Sequence, residues 1–155
     1  MIVAGLDPSG TPRRYTGLTI IDDHNIIYIG RLKHDEEIIN TILRYKPVVV
    51  AIDSPLSYAD GYREVDLCMK KLGFKVLPPG WRSMRMLISR SLAFKEVFER
   101  NNITVIETHP LSAFKSSNCA SLEELTSKFK MELPRKPSKD EADSLIAALV
   151  AYSYI

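Results

Sequence analysis

Short apolar runs at the start of the chain predict three strands. Residues 2–6 form an apolar run that ends at Asp7, and a loop rich in proline, serine and glycine follows it. Residues 16–21 and 26–32 are rich in β-branched and aromatic side chains, and the polar segment 22–25 joins them. Two such runs on either side of a polar turn are typical of a β-hairpin. We therefore expect three antiparallel strands at the beginning of the fold.

Beyond residue 34 the pattern changes to helices that alternate with strands. Apolar positions between Asp35 and Pro47 recur at the spacing of one helix face, and the helix has to end before the proline. Residues 48–52 form a continuous apolar run that ends at Asp53, as in a parallel strand covered on both faces. A third apolar strand, 103–106, ends at Glu107. Further helices are predicted at residues 65–72, 84–100, 122–129 and 138–152.

This order of elements predicts an α/β fold in which a mixed sheet is flanked by helices. A length of 155 residues fits a single domain, 1–155, because folds usually need roughly 100–200 residues. The composition is 45% hydrophobic and 26% charged, which is typical of a globular protein and excludes intrinsic disorder.

The sequence also limits the expected cellular location of the protein, the role of its two cysteines and its binding partners. No apolar run approaches the roughly 20 residues of a membrane span, and the N-terminus lacks the basic start of a signal peptide. We therefore expect a cytoplasmic protein that does not contact a membrane. Cys68 and Cys119 stand alone, so we expect two buried thiols rather than a disulfide or a zinc site. The net charge of +2 does not by itself indicate nucleic-acid binding, but basic residues cluster in 82–100 and 128–139.

Three carboxylates end the apolar strands. Asp7, Asp53 and Glu107 each follow such a run, and ligands bind at the carboxyl ends of parallel strands in open α/β sheets. Two carboxylates about 5 Å apart repel each other by roughly 3 kcal/mol at an effective dielectric constant of about 20. Either a cation lies among them or one carboxyl remains protonated. Oxygen-only ligation favours Mg²⁺ or Mn²⁺ over zinc.

The last helix offers a fourth carboxylate. Ser138 and Glu141 fit a capping box, which explains Glu141 without a further role. Asp140 lies in the first turn and is expected to face water, and its negative charge there interacts favourably with the helix dipole. Asp143 lies beyond that turn, beside the apolar stripe formed by residues 142, 145, 146, 149 and 150. We therefore expect Asp143 to be partly buried and to act as a metal ligand.

Five segments together resemble a known family. They are Gly5-Leu-Asp7, residues 51–56 (AIDSPL), Arg63-x-x-Asp66, residues 106–110 (IETHP) and residues 139–152. In this order they are similar to landmarks of the domain-of-unknown-function 429 family, which is regarded as a group of predicted nucleases with a ribonuclease H-like fold. The resemblance implies a five-stranded mixed sheet whose first three strands are antiparallel. It also implies an acidic metal site, onto which Asp7, Asp53, Glu107 and Asp143 map, and a histidine is expected where Asp140 stands.

The leading functional hypothesis is a metal-dependent nuclease that hydrolyses DNA or RNA. Two Mg²⁺ or Mn²⁺ ions would generate the attacking hydroxide and stabilise the leaving oxygen. Asp7 would bridge both ions, while Asp53, Glu107 and Asp143 would be terminal ligands. The basic side chains would hold backbone phosphates, and a histidine could orient water or protonate the leaving group; these substrate-binding candidates are Arg82, Arg85, Lys139 and His109. Arg63 and Asp66 are predicted to form an ion pair on a helix surface.

Two other functions remain open at this stage. One is a nucleic-acid-binding module without catalysis, which intact carboxylates disfavour. The other is nucleotide phosphoryl transfer, because residues 7–11 (DPSGT) loosely resemble the phosphate loop of actin-like kinases. Those kinases close two such domains over the nucleotide, so 155 residues would suffice only if a homodimer supplied the cleft.

Overall fold

A five-stranded mixed sheet forms the centre of the computed structural model, which describes all residues, 1–155. The strands lie in the order β3-β2-β1-β4-β5. β1 pairs with β2 and β2 with β3 in antiparallel fashion, whereas β1 with β4 and β4 with β5 are parallel. The predicted α/β sheet with three antiparallel strands at its start is thus confirmed. The strand bounds are β1 Ile2–Asp7, β2 Thr16–Asp22, β3 Asn25–Leu32, β4 Val49–Asp53 and β5 Thr104–Thr108.

Six helices connect or cover these strands. The bounds are α1 Asp35–Tyr45, α2 Glu64–Lys71, α3 Arg82–Arg100, α4 Pro110–Ser117, α5 Leu122–Lys128 and α6 Lys139–Tyr154. Five of them match sequence predictions to within a few residues. Sequence patterns missed α4, whose apolar positions are few, although Pro110 is its first residue and proline favours that position. None of the helices combines the length and apolar character that a membrane span requires.

Two hydrophobic cores lie on opposite faces of the sheet. On one face α6 packs over Val3 and Ala51, and on the other α1 and α3 pack over Leu6 and Ile52. Because successive side chains along a strand point to opposite faces, odd-numbered residues of β1 and β4 lie under α6. Of the two cysteines, Cys119 is buried as predicted, whereas Cys68 on α2 is exposed, which corrects the expectation for that thiol.

Two glycines let α6 lie unusually close to the sheet. A Cβ atom added at Gly5 would fall 2.0 Å from the carbonyl oxygen of Ser144, and one added at Gly17 would fall 2.1 Å from that of Asp140. At this contact the hydroxyls of Thr19 and Ser144 are 2.8 Å apart and buried. The close approach fixes the rotation and the position of α6 along β1 and β2.

The buried part of α6 is wider than the predicted stripe. Ser144, Ala147, Ala148 and Ala151 are buried together with the expected leucines and isoleucine, whereas Ala142 and Val150 are only half-buried. Small side chains on this helix permit the contact with the glycine-containing strands on a second side. Hydrophobicity alone identified only part of the interface, because alanine and serine are weak signals of burial.

Candidate metal centre

Asp7 and Asp53 come together because their strands are parallel neighbours in matching register. Leu6 is paired with Ile52, so the next residue of each strand is an aspartate. Both aspartates belong to the odd-numbered positions that face α6. Asp143 approaches from α6, and one carboxylate oxygen from each of the three residues lies within 4.8 Å of the others. The structure therefore places three oxygen donors at one point of the sheet edge.

Burial and mutual repulsion raise the pKa values of this cluster. Burial is the largest cause of the raised pKa of Asp7, and the charges of Asp53 and Asp143 raise it further. Burial also raises the pKa of Asp53, against the opposing effect of its hydrogen bond with Asp7. Three close carboxylates cannot all ionise without a compensating cation. In the metal-free protein, the Asp7 and Asp53 pair therefore retains protons at pH values where isolated carboxyls have lost them.

Asp143 is the cluster member that contacts a cation. Its side chain is 15% exposed, and the Lys139 ammonium lies 3.6 Å from one of its oxygens. Burial raises the pKa of Asp143, while Lys139 acts in the opposite direction. Asp143 thus lies partly buried beside the core, as its position on the helix suggested.

Glu141, by contrast, is engaged in capping α6. Its carboxylate accepts a hydrogen bond from the backbone N–H of Ser138, and the Ser138 hydroxyl accepts one from Glu141 N–H. Arg135 forms a salt bridge with the same carboxylate and lowers the pKa of Glu141 to about 2. The predicted capping box is confirmed. Glu141 therefore stabilises the start of α6 and is not one of the converging carboxylates.

Asp140 was expected to face open water, and the structure shows that it does not. It is half-buried and lines the same cavity as Asp7 and Asp143, and its charge contributes to the raised pKa of both. The reason is the close approach at Gly17, where the backbone of Asp140 rests on β2. The first turn of α6 therefore packs against the sheet, and Asp140 is the fourth carboxylate that borders the cluster.

The structure does not bring Glu107 into this cluster. In the register between β4 and β5, Glu107 is paired with Ile52, and Thr108 is the residue beside Asp53. Glu107 thus lies on the face covered by α1 and α3, opposite to Asp7 and Asp53. Its carboxylate accepts hydrogen bonds from Leu56 N–H at 2.8 Å and from the Arg63 guanidinium at 2.6 Å. The expected four-residue ligand set therefore differs at this position from the group of carboxylates that the structure brings together.

Arg63 forms a largely buried bridge between α2 and β5. Its guanidinium contacts Asp66 at 2.9 Å and Glu107 at 2.6 Å, and the Asp66 side chain is only 1% exposed. The predicted ion pair exists, but its position on a helix surface was wrong, because the short α2 turns Asp66 inwards. The bridge fixes the segment between β4 and α2 against the end of β5.

An open cavity of about 630 Å³ surrounds the acidic cluster. Cationic side chains line it together with the carboxylates, and they come from the β1–β2 loop, the end of β3 and the start of α6. Lys139, a predicted phosphate contact, is one of them, and the others are Arg13, Arg14 and Lys33. Negative and positive groups therefore line a single cleft.

Arg82 and Arg85 lie outside this cleft, at the start of α3. Both are exposed, and the Arg85 guanidinium contacts Asp60 at 3.0 Å and donates to the carbonyl of Gly80 at 3.1 Å. They were predicted to bind phosphate, in preference to Arg13 and Arg14, because they belong to the basic cluster in 82–100. A better signal was the adjacent arginine pair in the loop that directly follows Asp7.

Arg90 holds the β1–β2 loop in place. It is 8% exposed and donates hydrogen bonds to the carbonyls of Ser9 at 2.8 Å and Lys33 at 2.9 Å, and to Asp35 at 2.8 Å. Its spacing of four residues before Phe94, a core residue, was the sequence signal for burial. The loop that presents Arg13 and Arg14 is therefore anchored from the α3 side of the sheet.

His109 lies in the wall of the cleft. Its Nδ1 is hydrogen-bonded to the Ser112 hydroxyl, and burial lowers its pKa despite the nearby charge of Asp143. A neutral imidazole is thus favoured near pH 7, with Nε2 free of protein hydrogen bonds. Such a group can hold a water molecule or exchange a proton with one.

The donor set of the cluster fits a hard divalent cation. The three converging groups are carboxylates, and no thiol or imidazole is among them. Mg²⁺ and Mn²⁺ prefer such oxygen ligands, whereas zinc sites usually include nitrogen or sulfur. The raised pKa values of Asp7 and Asp53 indicate the same need for positive charge.

Solved structures similar to this chain include RuvC. The structure of Thermus thermophilus RuvC in complex with Holliday junction substrate superposes with a TM-score of 0.61 at 16% identity, covering 99% of this chain and 95% of that one. A second Thermus thermophilus RuvC structure gives a TM-score of 0.59 at 15% identity and covers 99% and 96% of the two chains. No protein-family model and no curated protein matches the sequence, so the resemblance to the domain-of-unknown-function 429 family stays a prediction. The fold itself is ribonuclease H-like, and the match extends over almost the whole chain.

Proposed function

We propose that this chain is a metal-dependent nuclease that acts as a single domain. The observation that carries this proposal is the convergence of one carboxylate oxygen each from Asp7, Asp53 and Asp143 within 4.8 Å in a cleft that cations also line. Carboxylates that can hold divalent ions and cations that attract phosphate are two features that suit hydrolysis of a phosphodiester. The fold shared with RuvC supports this assignment.

Asp7 is the central ligand, because the charges of Asp53, Asp143 and Asp140 all act on its carboxyl group. Asp53 and Asp143 complete the converging set, and Asp140 replaces Glu107 as the fourth carboxylate. Bound Mg²⁺ or Mn²⁺ would supply a nucleophilic water and stabilise charge on the leaving oxygen. The protein's own part is to hold four carboxylates on three rigid elements, β1, β4 and α6.

The substrate that suits the cleft is a nucleic acid. Arg13, Arg14, Lys33 and Lys139 can each pair with a backbone phosphate and so bring the polyanion to the carboxylates. RuvC is described in complex with a Holliday junction, and a branched DNA is therefore the first substrate to test here. His109, with its free Nε2, is suited to position a water or to protonate the leaving oxygen.

The test is cleavage of labelled four-way junctions, duplexes and single strands of DNA and RNA with Mg²⁺, Mn²⁺ or EDTA. We expect cleavage of at least one substrate with metal and none with EDTA. Asp7→Asn should abolish it, whereas Glu107→Gln should retain it, because Glu107 lies on the other face of the sheet. Absence of cleavage for every substrate, or full activity of Asp7→Asn, would contradict the proposal.

A further inference from the structure

A second, narrower cavity of about 220 Å³ adjoins the acidic cluster on the side of α2 and α3. It shares Asp7, Pro8, Asp53 and His109 with the larger cleft, so the two cavities meet at the proposed metal centre. A substrate phosphate held at that point would therefore have the narrow cavity directly beside it.

The narrow cavity is unlike the cleft in its lining. It has five apolar side chains, contributed by α2, α3 and the segment between them, namely Met69, Val76, Leu77, Met84 and Leu87. A cavity of this kind binds the apolar faces of a ligand rather than a highly hydrated ion.

The polar part of the lining disfavours a phosphate. Arg63 is its only cation, and hydrogen bonds to Asp66, Glu107 and Ser57 already occupy the Nε, Nη1 and Nη2 groups of that guanidinium. The carboxylates of Asp66 and Glu107 therefore outnumber the single positive charge. A neutral ligand fits this wall better than an anion does.

Size restricts the ligand further. Cavities that enclose drug-sized molecules usually measure about 300–1,000 Å³, so 220 Å³ has room for about one ring system. On a nucleic acid, the neutral and flat group of that size is the nucleobase, which is attached to the phosphate through one sugar.

We propose that this cavity takes a single unstacked nucleobase next to the phosphodiester at the acidic cluster. The inference rests on the proposed function and adds a preference for substrates with an unpaired base. Taking a base out of a stack costs free energy, and the cost is smallest where the base is already unpaired. The enzyme would thus favour bulges, branch points or single strands over continuous duplex.

The experiment compares two duplexes that differ in one nucleotide. One carries a single bulged adenosine, the other an abasic residue at the same place, and binding of each is measured in Ca²⁺ by fluorescence anisotropy. We expect the parent protein to bind the adenosine bulge about tenfold more tightly, since the base loses contact with water when it enters an apolar cavity and the abasic residue has no base to insert. Met84→Trp fills the cavity and should remove most of this difference, without weakening binding of the abasic duplex.

Met86→Trp is the matched control, because Met86 is on the same helix, is 44% exposed and does not line the cavity. It should preserve the preference for the adenosine bulge. Leu87→Ala, which enlarges the cavity instead of filling it, should weaken the preference and provides a second variant if Met84→Trp is poorly folded. A parent protein that binds both duplexes equally, or a preference that survives Met84→Trp, would overturn the inference.

Failure of the proposed function gives a different result. If the parent protein shows no stabilisation by Mn²⁺ and binds neither duplex, the metal centre is absent and both proposals fall. If Mn²⁺ stabilises the parent and Met84→Trp equally, and both bind the two duplexes equally, only the base cavity is refuted.

Discussion

Glu107 lies directly beside Ile52 in the parallel register of β4 and β5. A shift of one residue would have placed it beside Asp53, but the pleat of the sheet turns the side chains of neighbouring positions to opposite faces. Glu107 consequently binds Arg63 on the α3 side, while Asp53 joins the acidic cluster on the α6 side. Two acidic residues at equivalent strand ends therefore have different tasks.

The first prediction concerns this difference. Glu107→Gln should lower the free energy of unfolding by about 1–3 kcal/mol, because Arg63 loses a charged hydrogen-bond partner. Stabilisation of the variant by Mn²⁺ should equal that of the parent protein. Urea unfolding and thermal melting with and without Mn²⁺ measure both effects. A Glu107→Gln protein of parental stability that no longer responds to Mn²⁺ would show that Glu107 is a ligand after all.

The second prediction concerns pH in the absence of metal. Asp7 and Asp53 have raised pKa values in the folded protein, so the folded state binds more protons than the unfolded state above about pH 4. The free energy of unfolding should therefore fall as pH rises from about 4 through neutrality. Asp7→Asn should make this decline shallower, and Mg²⁺ should oppose it in the parent protein. Chemical unfolding between pH 5 and pH 8 in EDTA provides the measurement; parallel curves for parent and variant would argue against the coupled carboxylates.

The third prediction tests the contact of α6 with the sheet. A methyl group at Gly5 would meet the backbone of Ser144 and Ala148, at 2.0 and 2.2 Å, so the whole helix has to move. Gly5→Ala should cost about 1–3 kcal/mol or more of stability and should weaken Mn²⁺ binding, because Asp143 moves with α6. Gly61→Ala is the control, since a methyl group there meets nothing within 4 Å. Normal stability and normal Mn²⁺ affinity of Gly5→Ala would contradict the role given to this glycine.

The fourth prediction identifies the cations that contact phosphate. Arg13→Ala and Arg14→Ala should weaken binding of all nucleic-acid sequences similarly, and each should reduce the slope of log K against log salt by about 1. Arg82→Ala should leave the slope unchanged, because Arg82 lies outside the cleft. Anisotropy titrations at several salt concentrations distinguish the two positions. The opposite ranking, with only Arg82 affecting the slope, would move the nucleic-acid surface to the start of α3.

The apolar runs that predicted the strands also predicted two of the converging carboxylates, because each of these carboxylates ends such a run. Asp7 and Asp53 follow apolar runs that end at one sheet edge, and a strand of this kind is recognisable from its own residues. The face of Glu107 was not predictable in this way, since it depends on a one-residue register between β4 and β5.

Residues that depend on tertiary contacts were misplaced or missed. The expectation that Asp140 faces water is wrong, because its helix turn lies against Gly17. Helix periodicity does not predict a contact between residues so far apart in the chain. Arg90 belongs to the basic cluster 82–100, yet it is buried because its guanidinium binds the β1–β2 loop, which is distant from it in the chain. Local pattern predicts which face of an element is apolar, but not how closely two elements approach.

The most direct test of the metal centre is anomalous diffraction from a crystal soaked in Mn²⁺. We predict an anomalous peak bound by carboxylate oxygens of Asp7, Asp53 and Asp143, with no peak at Glu107. Absence of a peak among these three aspartates at a concentration of Mn²⁺ that supports cleavage would contradict the account.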